Sequence, residues 1–476
     1  MRDITIRDIV SVVNGDLLDK ISQGKQTEVL DTVINRISID SRDVTEDSVF
    51  VAIPGENVDP HKYIPAVAKV SKAIITELNE EEILAKSDAD FIPDDVAYIK
   101  VANSLDALQS IGGFVRSRYT KEIIGVTGSV GKTTTREMIT HALQSCIPVF
   151  HTKGNMNSQI GVPLTLSEIC DEESDVAVLE MGISEQGGMD RLTKMVRPTM
   201  AVVTMIGVAH IEFMKTQTGI MEEKLRICNR MDSDGVIFLN ADDKLLWSQK
   251  GKLKVNTIYY GLNPEADYRA ENIRFENGYN TYEFVHDNTR ITVNLTALGI
   301  HNVRNSLVAM AVCDHMGLDL MKAAASFENF SGLRQKIIQS DKGYTVIDDA
   351  YNASPDSMKA AIDVLCDLNV TGKKTVVLGD MFELGPDSDK YHSEVGEYIA
   401  ALKDNGREYP DNLFTIGESS KLIAQSASKV AGINIKTFDD KDQLTEELKT
   451  VLKPGDAVVL KASNGMKLFD LVDKII

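Results

Sequence analysis

The sequence predicts an α/β protein of three domains, and three observations carry that reading. The chain has 476 residues, whereas single domains run at roughly 100–200 residues. Short apolar runs of strand type alternate with helical windows along most of it, which is the pattern of parallel sheets covered by helices. That pattern changes style near residue 104 and again near residue 332, which divides the chain into 1–103, 104–331 and 332–476.

The first segment opens with Ile6, Ile9, Val10 and Val13 on one helical face, stopped by Asn14-Gly15. Strand-like runs follow at Arg36–Asp40, Ser48–Ile53 and Lys72–Thr76, with a turn at Pro54-Gly55. This is a small α/β domain. The second segment begins with a helix, Leu105–Tyr119, then a compact apolar strand, Glu122–Val126. A glycine-bearing loop leads into a helix from Lys132 to about Gln144. Buried-type strands at Val176–Leu179, Met200–Met205 and Val236–Leu239, with helical stretches between them, predict a parallel, doubly wound sheet. Tyr268–Leu295 reads as strand–turn–strand, with Asn277-Gly278 and Asp287-Asn288 as hairpin signals. A helix with Val303, Leu307, Met310 and Ala311 on one face comes next. The third segment, from about Gly332, carries strands at Thr345–Ile347, Thr375–Leu378, Leu413–Ile416 and Ala457–Leu460, a Rossmann-like series.

Composition narrows the function. With 51 Lys+Arg against 71 Asp+Glu the formal net charge is −20. Such a surface repels nucleic acid and anionic membrane, so neither is an expected partner. An anionic ligand is still possible, because a local site can oppose the global field. The first residues, MRDITIRDIVSVVNGD, place charges where a signal peptide needs an unbroken apolar core, so a cytoplasmic location is expected. Cys146, Cys170, Cys228, Cys313 and Cys366 are widely spaced and lack a Cys-x-x-Cys pair, which reads as reduced thiols.

The strongest local signal is Gly125-Val126-Thr127-Gly128-Ser129-Val130-Gly131-Lys132-Thr133-Thr134-Thr135, where a strand feeds a glycine loop and then a helix. Glycines let backbone N–H groups approach phosphate oxygens, and a helix N-terminus adds positive potential. Gly128, Ser129, Val130, Gly131, Lys132, Thr133 and Thr134 are therefore the candidate nucleotide contacts. Lys132 would reach the β- and γ-phosphates, and the Thr133 hydroxyl would ligate Mg²⁺. The strict phosphate-loop template has glycine where Val126 stands, while Thr-Gly-x-x-Gly-Lys-Thr-Thr is complete. A glycine-rich turn with a solvated lysine is the plainer alternative. Ligands of open α/β sheets bind beyond the carboxyl ends of the strands, where Glu180 and His210 stand. A hard carboxylate suits Mg²⁺, whereas imidazole is a less usual ligand for it. Taken singly, Glu180 has the plainer alternative of a capping residue, and His210 that of a histidine satisfied by backbone, which taken alone is the favoured reading.

These residues belong to a series of blocks that resembles the Mur ligases. In order they are Thr127–Thr135, Thr152-Lys153-Gly154-Asn155-Met156-Asn157, Leu179–Gly182, Gly207–Glu212, Ile347–Pro355 and Val377–Leu384. The resemblance runs from Asp40-Ser41-Arg42 to Lys461-Ala462-Ser463. It implies an ATP-dependent amide ligase of peptidoglycan synthesis, with a UDP-binding first domain, an ATP-binding middle domain and a third domain for the incoming amine. The blocks around Asp348-Asp349-Ala350-Tyr351 and Leu378-Gly379-Asp380-Met381 resemble the members that join D-alanyl-D-alanine to UDP-N-acetylmuramoyl-tripeptide through an acyl phosphate.

The resemblance also implies residue roles. His210 and a carbamylated lysine, matched by Lys224, would hold a second Mg²⁺, with Lys132, His210 and Lys224 as the catalytic set. Without it, Lys224 is an exposed helix lysine paired with a neighbouring Glu. Asn302 would read the adenine edge, although on its own it is a helix N-cap candidate. Arg334 would approach the γ-phosphate and Asp348 the ribose, so closure of the third domain would complete the ATP site. Ser41 and Arg42 match UDP contacts, and Asn155 and Asn157 match contacts to the sugar-peptide; turn chemistry is their alternative. A monomer is the simpler expectation for domains that must move.

Some positions depart from the family pattern. Ser158 replaces a common Asn, Ala462 a Gly, Asn464 an Arg, and Asp59-Pro60-His61 a more usual Asp-Gly-His. The rival within the family adds diaminopimelate or lysine to the muramoyl dipeptide, but its Asn-Pro-Arg element is absent here. Folylpolyglutamate synthase shares the phosphate loop and lacks the Asp-Ser-Arg segment. A nucleotide-dependent switch, the rival from another class, has no use for a second metal.

Overall fold

Three α/β sheets follow one another along the chain in the computed structural model, which describes residues 1–18, 26–276, 279–332, 334–429 and 432–476. The first has the order Asp16–Leu17, Ala97–Lys100, Ala73–Thr76, Ser48–Val51, Arg36–Ser38, parallel except at the Asp16–Leu17 edge. Helix Ile6–Val13 begins where Thr5 and Asp8 cap each other's backbone, and it stops at Asn14 in the left-handed region.

The second sheet carries the phosphate loop. From one edge its strands are Val149–His151, Val176–Glu180, Glu122–Thr127, Met200–Val203, Val236–Asn240, Asn256–Gly261 and Tyr268–Glu276, all parallel. Tyr279–His286 and Thr289–Leu295 extend it as an antiparallel meander. Its inner strands are apolar at successive positions because helices cover both faces. Helices Lys132–Gln144 and Ile300–His315 cover one face through Met138, Ile139, Leu143, Val303 and Leu307. Helix Ser104–Arg118 covers the other, and its Leu108 and Ile111 share a cluster with Ile4 and Ile9. The first and second regions thus pack through one apolar core, where each fully buried aliphatic side chain contributes about 1.5–3 kcal/mol.

The third sheet has the order Lys336–Gln339, Thr345–Asp348, Ala457–Lys461, Lys374–Gly379, Asn412–Ile416, Asn434–Phe438, with only the first pair antiparallel. Helix Pro355–Asp367 starts where Ser354 and Ser357 form a reciprocal cap, with Pro355 at its first position.

The expected α/β architecture with a doubly wound central sheet is what the structure has. Differences are local. The strand expected over 200–205 ends at Val203, because Thr204 and Met205 leave the sheet to brace the phosphate loop. The segment from Tyr268 contributes three strands rather than two; its Asp287-Asn288 turn forms, and Asn277-Gly278 lies outside the described residues. Among the described residues no helix is long and apolar enough to cross a membrane.

The contact of helix Ser104–Arg118 with Gly161–Glu168 depends on Gly112, where a Cβ would lie 2.8 Å from the Pro163 Cα. Gly112→Ala should therefore lower stability in urea unfolding by about 1–3 kcal/mol, the range for overpacked cores. An unchanged midpoint would contradict this close packing.

Candidate active site

The phosphate loop is shaped from beneath. Thr127 ends its strand, and Gly128 turns with φ 149°, where a Cβ would lie 1.8 Å from the Thr204 Oγ1. Only glycine fits there. The Ser129 N–H donates to the Met205 carbonyl at 2.8 Å, and the Thr204 hydroxyl donates to the Val130 carbonyl at 2.5 Å. Gly131, at φ 86°, caps helix Lys132–Gln144. The glycine missing from the strict template corresponds to Val126, which is a buried strand residue and not part of the turn.

Lys132 folds back on its own loop and donates to the Gly128 carbonyl at 3.0 Å. Its position pushes the ammonium below the ordinary lysine range: burial is the main cause, Arg334 adds to it, and Glu180 opposes. Glu180 ends its strand fully buried. Its Oε1 accepts from the Thr133 hydroxyl at 3.1 Å and from the Asn157 amide at 2.6 Å. Its Oε2 is buried without a hydrogen bond among the described residues, and the Arg136 Nε stands 3.9 Å from it.

Lys224 is 2% exposed, and its ammonium makes no hydrogen bond or ion pair among the described residues. Burial first, and then the charge of Lys132, push it well below the ordinary lysine range. The exposed, paired lysine that the local pattern alone suggested is not what the fold produces. A buried amine within electrostatic reach of the phosphate-loop lysine is.

His210 faces the third region. It occupies the left-handed region (φ 63°) just before the short helix Ile211–Met214. Its Nδ1 lies 2.5 Å from Glu383 Oε2 of the third region, although the contact lacks the alignment of a hydrogen bond. Among the described residues no three His, Cys, Asp or Glu side chains converge on a point that would hold a metal. Of the proposed metal set, Thr133 and Glu180 meet, and His210 is drawn to Glu383 instead.

The residues expected at the nucleoside lie on both sides of the boundary between the second and third regions and touch across it. Asn302 is not an N-cap, since Gly299 occupies that position and Asn302 lies in the first turn. Its amide donates to the Leu298 carbonyl at 2.7 Å and to Gln335 Oε1 at 3.0 Å. Its oxygen accepts from Asn305, whose own oxygen accepts from Thr135 of the phosphate-loop helix. Next to it, burial pushes His301 down to about 4, with Lys461 and Arg304 contributing, so that imidazole is neutral at neutral pH. The Arg334 Cζ lies over the Tyr351 ring, 3.1 Å from its centroid, and the Asn155 amide donates to the Tyr351 hydroxyl at 2.7 Å. Asp348 accepts from the Ala350 N–H at 3.2 Å, and burial holds its carboxyl above the ordinary range.

Among the described residues Ser41 and Arg42 share no hydrogen bond or ion pair with these side chains. Arg42 is exposed and bonded to its neighbour Asp40, whose carboxyl it holds down at about 2. Tyr351, Gln335 and Glu383 are the contacts that sequence reasoning left without a role. Tyr351 and Glu383 stood inside the quoted blocks, while nothing in the local pattern marked Gln335.

Residues 126–313 match the Mur ligase middle domain, and residues 333–464 match the Mur ligase, glutamate ligase domain. A UDP-N-acetylmuramoyl-tripeptide–D-alanyl-D-alanine ligase of Bacillus subtilis (strain 168) is 34% identical over 476 residues, covering 99% of this chain and 98% of that protein. The crystal structure of MurF from Acinetobacter baumannii superposes with TM-score 0.85 at 27% identity, covering 99% of this chain and 98% of that one. MurF from Thermotoga maritima, solved in complex with ADP, superposes with TM-score 0.79 at 27% identity, covering 94% and 98%. The chain belongs to the Mur ligase family, on its MurF branch.

Proposed function

We propose that this protein uses ATP to join D-alanyl-D-alanine to the terminal carboxylate of UDP-N-acetylmuramoyl-tripeptide, releasing ADP and phosphate. The observation that carries the reading is a braced phosphate loop on a chain that aligns end to end with ligases of that name. The ADP bound by the Thermotoga maritima relative supports the choice of nucleotide. Residues 1–103 would hold the UDP end, with Ser41 and Arg42 as contacts, 104–331 the ATP, and 332–476 the dipeptide.

The chemistry brings anions together. A peptide carboxylate attacks the γ-phosphorus, ADP leaves, and the dipeptide amine then displaces phosphate from the acyl phosphate. Lys132 would leave its loop carbonyls for the phosphates, and the loop N–H groups would add their dipoles. Mg²⁺ fits beside Thr133 and Glu180, because the carboxylate is buried, already oriented by two donors, and has one oxygen free of hydrogen bonds. When bound, it would neutralise phosphate charge. Arg334 would meet the γ-phosphate, Asp348 the ribose, Asn302 the adenine edge, and Asn155 and Asn157 the sugar-peptide.

Lys224 supports a further element of the reading. Burial and the charge of Lys132 favour the neutral form of its amine, and a neutral amine can capture CO₂ as a carbamate. That change would turn a disfavoured buried cation into an anion suited to a second Mg²⁺. His210 would join it there only after leaving Glu383.

Purified protein offered ATP, UDP-muramoyl tripeptide and D-Ala-D-Ala should release phosphate in step with product. Release only with the muramoyl dipeptide and diaminopimelate or lysine would overturn the assignment in favour of the rival ligase.

Lys224→Ala should cut turnover by at least about a hundredfold, the scale on which loss of an electrostatic catalytic group is felt. A short added carboxylic acid should restore part of it. Full activity in the variant would remove the carbamate from the mechanism.

A further inference from the structure

Tyr351 stands where the two anionic substrates of the proposed reaction would meet. The Arg334 guanidinium lies over its ring at 3.1 Å from the centroid, and its hydroxyl accepts from the Asn155 amide at 2.7 Å. Asn155 belongs to the second region, and Tyr351 and Arg334 to the third. The side chain is not there to fill a core, since Tyr351 is 36% exposed. Among the described residues its polar contacts are a cation on one face and an amide at the tip.

Electrostatics explains why Arg334 needs such a holder. It lies within Coulombic reach of both Lys132 and Arg136, and it lowers the proton affinity of each. Before phosphates arrive, these cations repel one another around one loop. The negative face of an aromatic ring holds a guanidinium without neutralising it. The hydrogen bond from Asn155 ties that ring to the second region, so whatever immobilises Asn155 would fix the ring's tilt and the direction in which Arg334 points.

We propose that Tyr351 is a positioning residue that couples occupancy of the muramoyl-peptide site, sensed through Asn155, to the placement of Arg334 on the terminal phosphate of the nucleotide. The inference rests on the roles given above to Asn155 and Arg334. Its consequence is that the protein distinguishes triphosphate from diphosphate through Tyr351, and does so more strongly when the muramoyl peptide pins Asn155.

Two substitutions separate the ring from the hydroxyl. Tyr351→Phe keeps the platform and removes the bond to Asn155, while Tyr351→Leu removes both. The test is calorimetric binding of a non-hydrolysable ATP analogue and of ADP to the full chain in Mg²⁺ buffer, with and without UDP-muramoyl tripeptide. Tyr351→Leu should lower the preference for triphosphate by roughly 3–30-fold, the range for a lost cation–π contact. Arg334→Ala should remove the same preference, and the double variant should lose no more than Arg334→Ala alone. Tyr351→Phe should keep the wild-type preference without the muramoyl peptide but lose the increase that the peptide brings, roughly 2–10-fold for one hydrogen bond.

An unchanged preference in Tyr351→Leu would overturn the proposal, as would losses that multiply in the double variant. So would a wild type whose preference ignores Arg334. Should the Leu variant fail to fold, Tyr351→Phe with and without the muramoyl peptide decides alone, since that change leaves the ring in place. The binding readout is independent of turnover. Tyr351-dependent discrimination without D-alanyl-D-alanine product would defeat the ligase reading and leave the coupling intact. Product formation with discrimination indifferent to Tyr351 would defeat only the coupling.

Discussion

Glu180 is removed from water at the end of its strand, and its carboxylate meets a hydroxyl and an amide rather than a hydrogen-bonded cation. A buried charge left in that state is costly unless a counter-charge is supplied. Lys132 and Arg136 stand nearby, yet Lys132 bonds to its loop carbonyls and Arg136 to the Thr152 carbonyl. The arrangement of the crevice follows from that constraint. Thr133 from the helix and Asn157 from the following loop fix the carboxylate's orientation, and the Thr152 hydroxyl accepts from the Glu180 N–H at 3.0 Å. What lacks a hydrogen bond among the described residues is one oxygen, with only the Arg136 Nε at 3.9 Å to balance it, and it belongs to a chain whose proposed substrates arrive with a divalent cation.

The second consequence is that the site is shared between regions. The Asn302–Gln335 bond, the Asn155–Tyr351–Arg334 contact and the His210–Glu383 pair each join the central sheet's loops to the third region. Beside these polar contacts Val208 and Leu298 of the second region are buried in one apolar cluster with Ile347, Ala353 and Met381 of the third, so the two regions meet through a small apolar patch as well, as the first and second do through theirs. Polar contacts of this size exchange readily for contacts to substrate, whereas a shared core does not. His210 illustrates the point, because the same imidazole cannot serve Glu383 and a metal at once. The net charge of −20 sits outside this crevice in effect: Lys132, Arg136 and Arg334 gather around the one loop where anions must bind.

Most of the fold was legible in the sequence because buried parallel strands and amphipathic helices announce themselves by apolar period. Helix Lys132–Gln144 has the bounds its pattern predicts, and the strands at Val176, Val236 and Ala457 differ from expectation by one residue at their ends. The edge strands Lys336–Gln339 and Asn434–Phe438 escaped because edge strands are half exposed and carry polar residues. In the site, Lys132 and Thr133 were marked by local chemistry. Lys224 was not, since Glu222 and Glu223 beside it imitate a solvated helix face; only tertiary packing buries it. Asn302 imitated an N-cap for a similar reason, standing three residues beyond the true one. Contacts between regions, such as Glu383 with His210, have no local periodicity to betray them.

The central claim is that the buried Glu180 carboxylate is the metal-demanding element of the nucleotide site, and Glu180→Gln tests it directly. Calorimetry should compare the binding of a non-hydrolysable ATP analogue with and without Mg²⁺ in both proteins. The account predicts that Mg²⁺ strengthens binding to the wild type by at least about tenfold, equivalent to 1.4 kcal/mol, and that the Gln variant loses this gain. Without Mg²⁺ the variant should bind the analogue as well as the wild type or better, because a buried like charge has been removed. A Gln variant that keeps the full Mg²⁺ dependence would contradict the account.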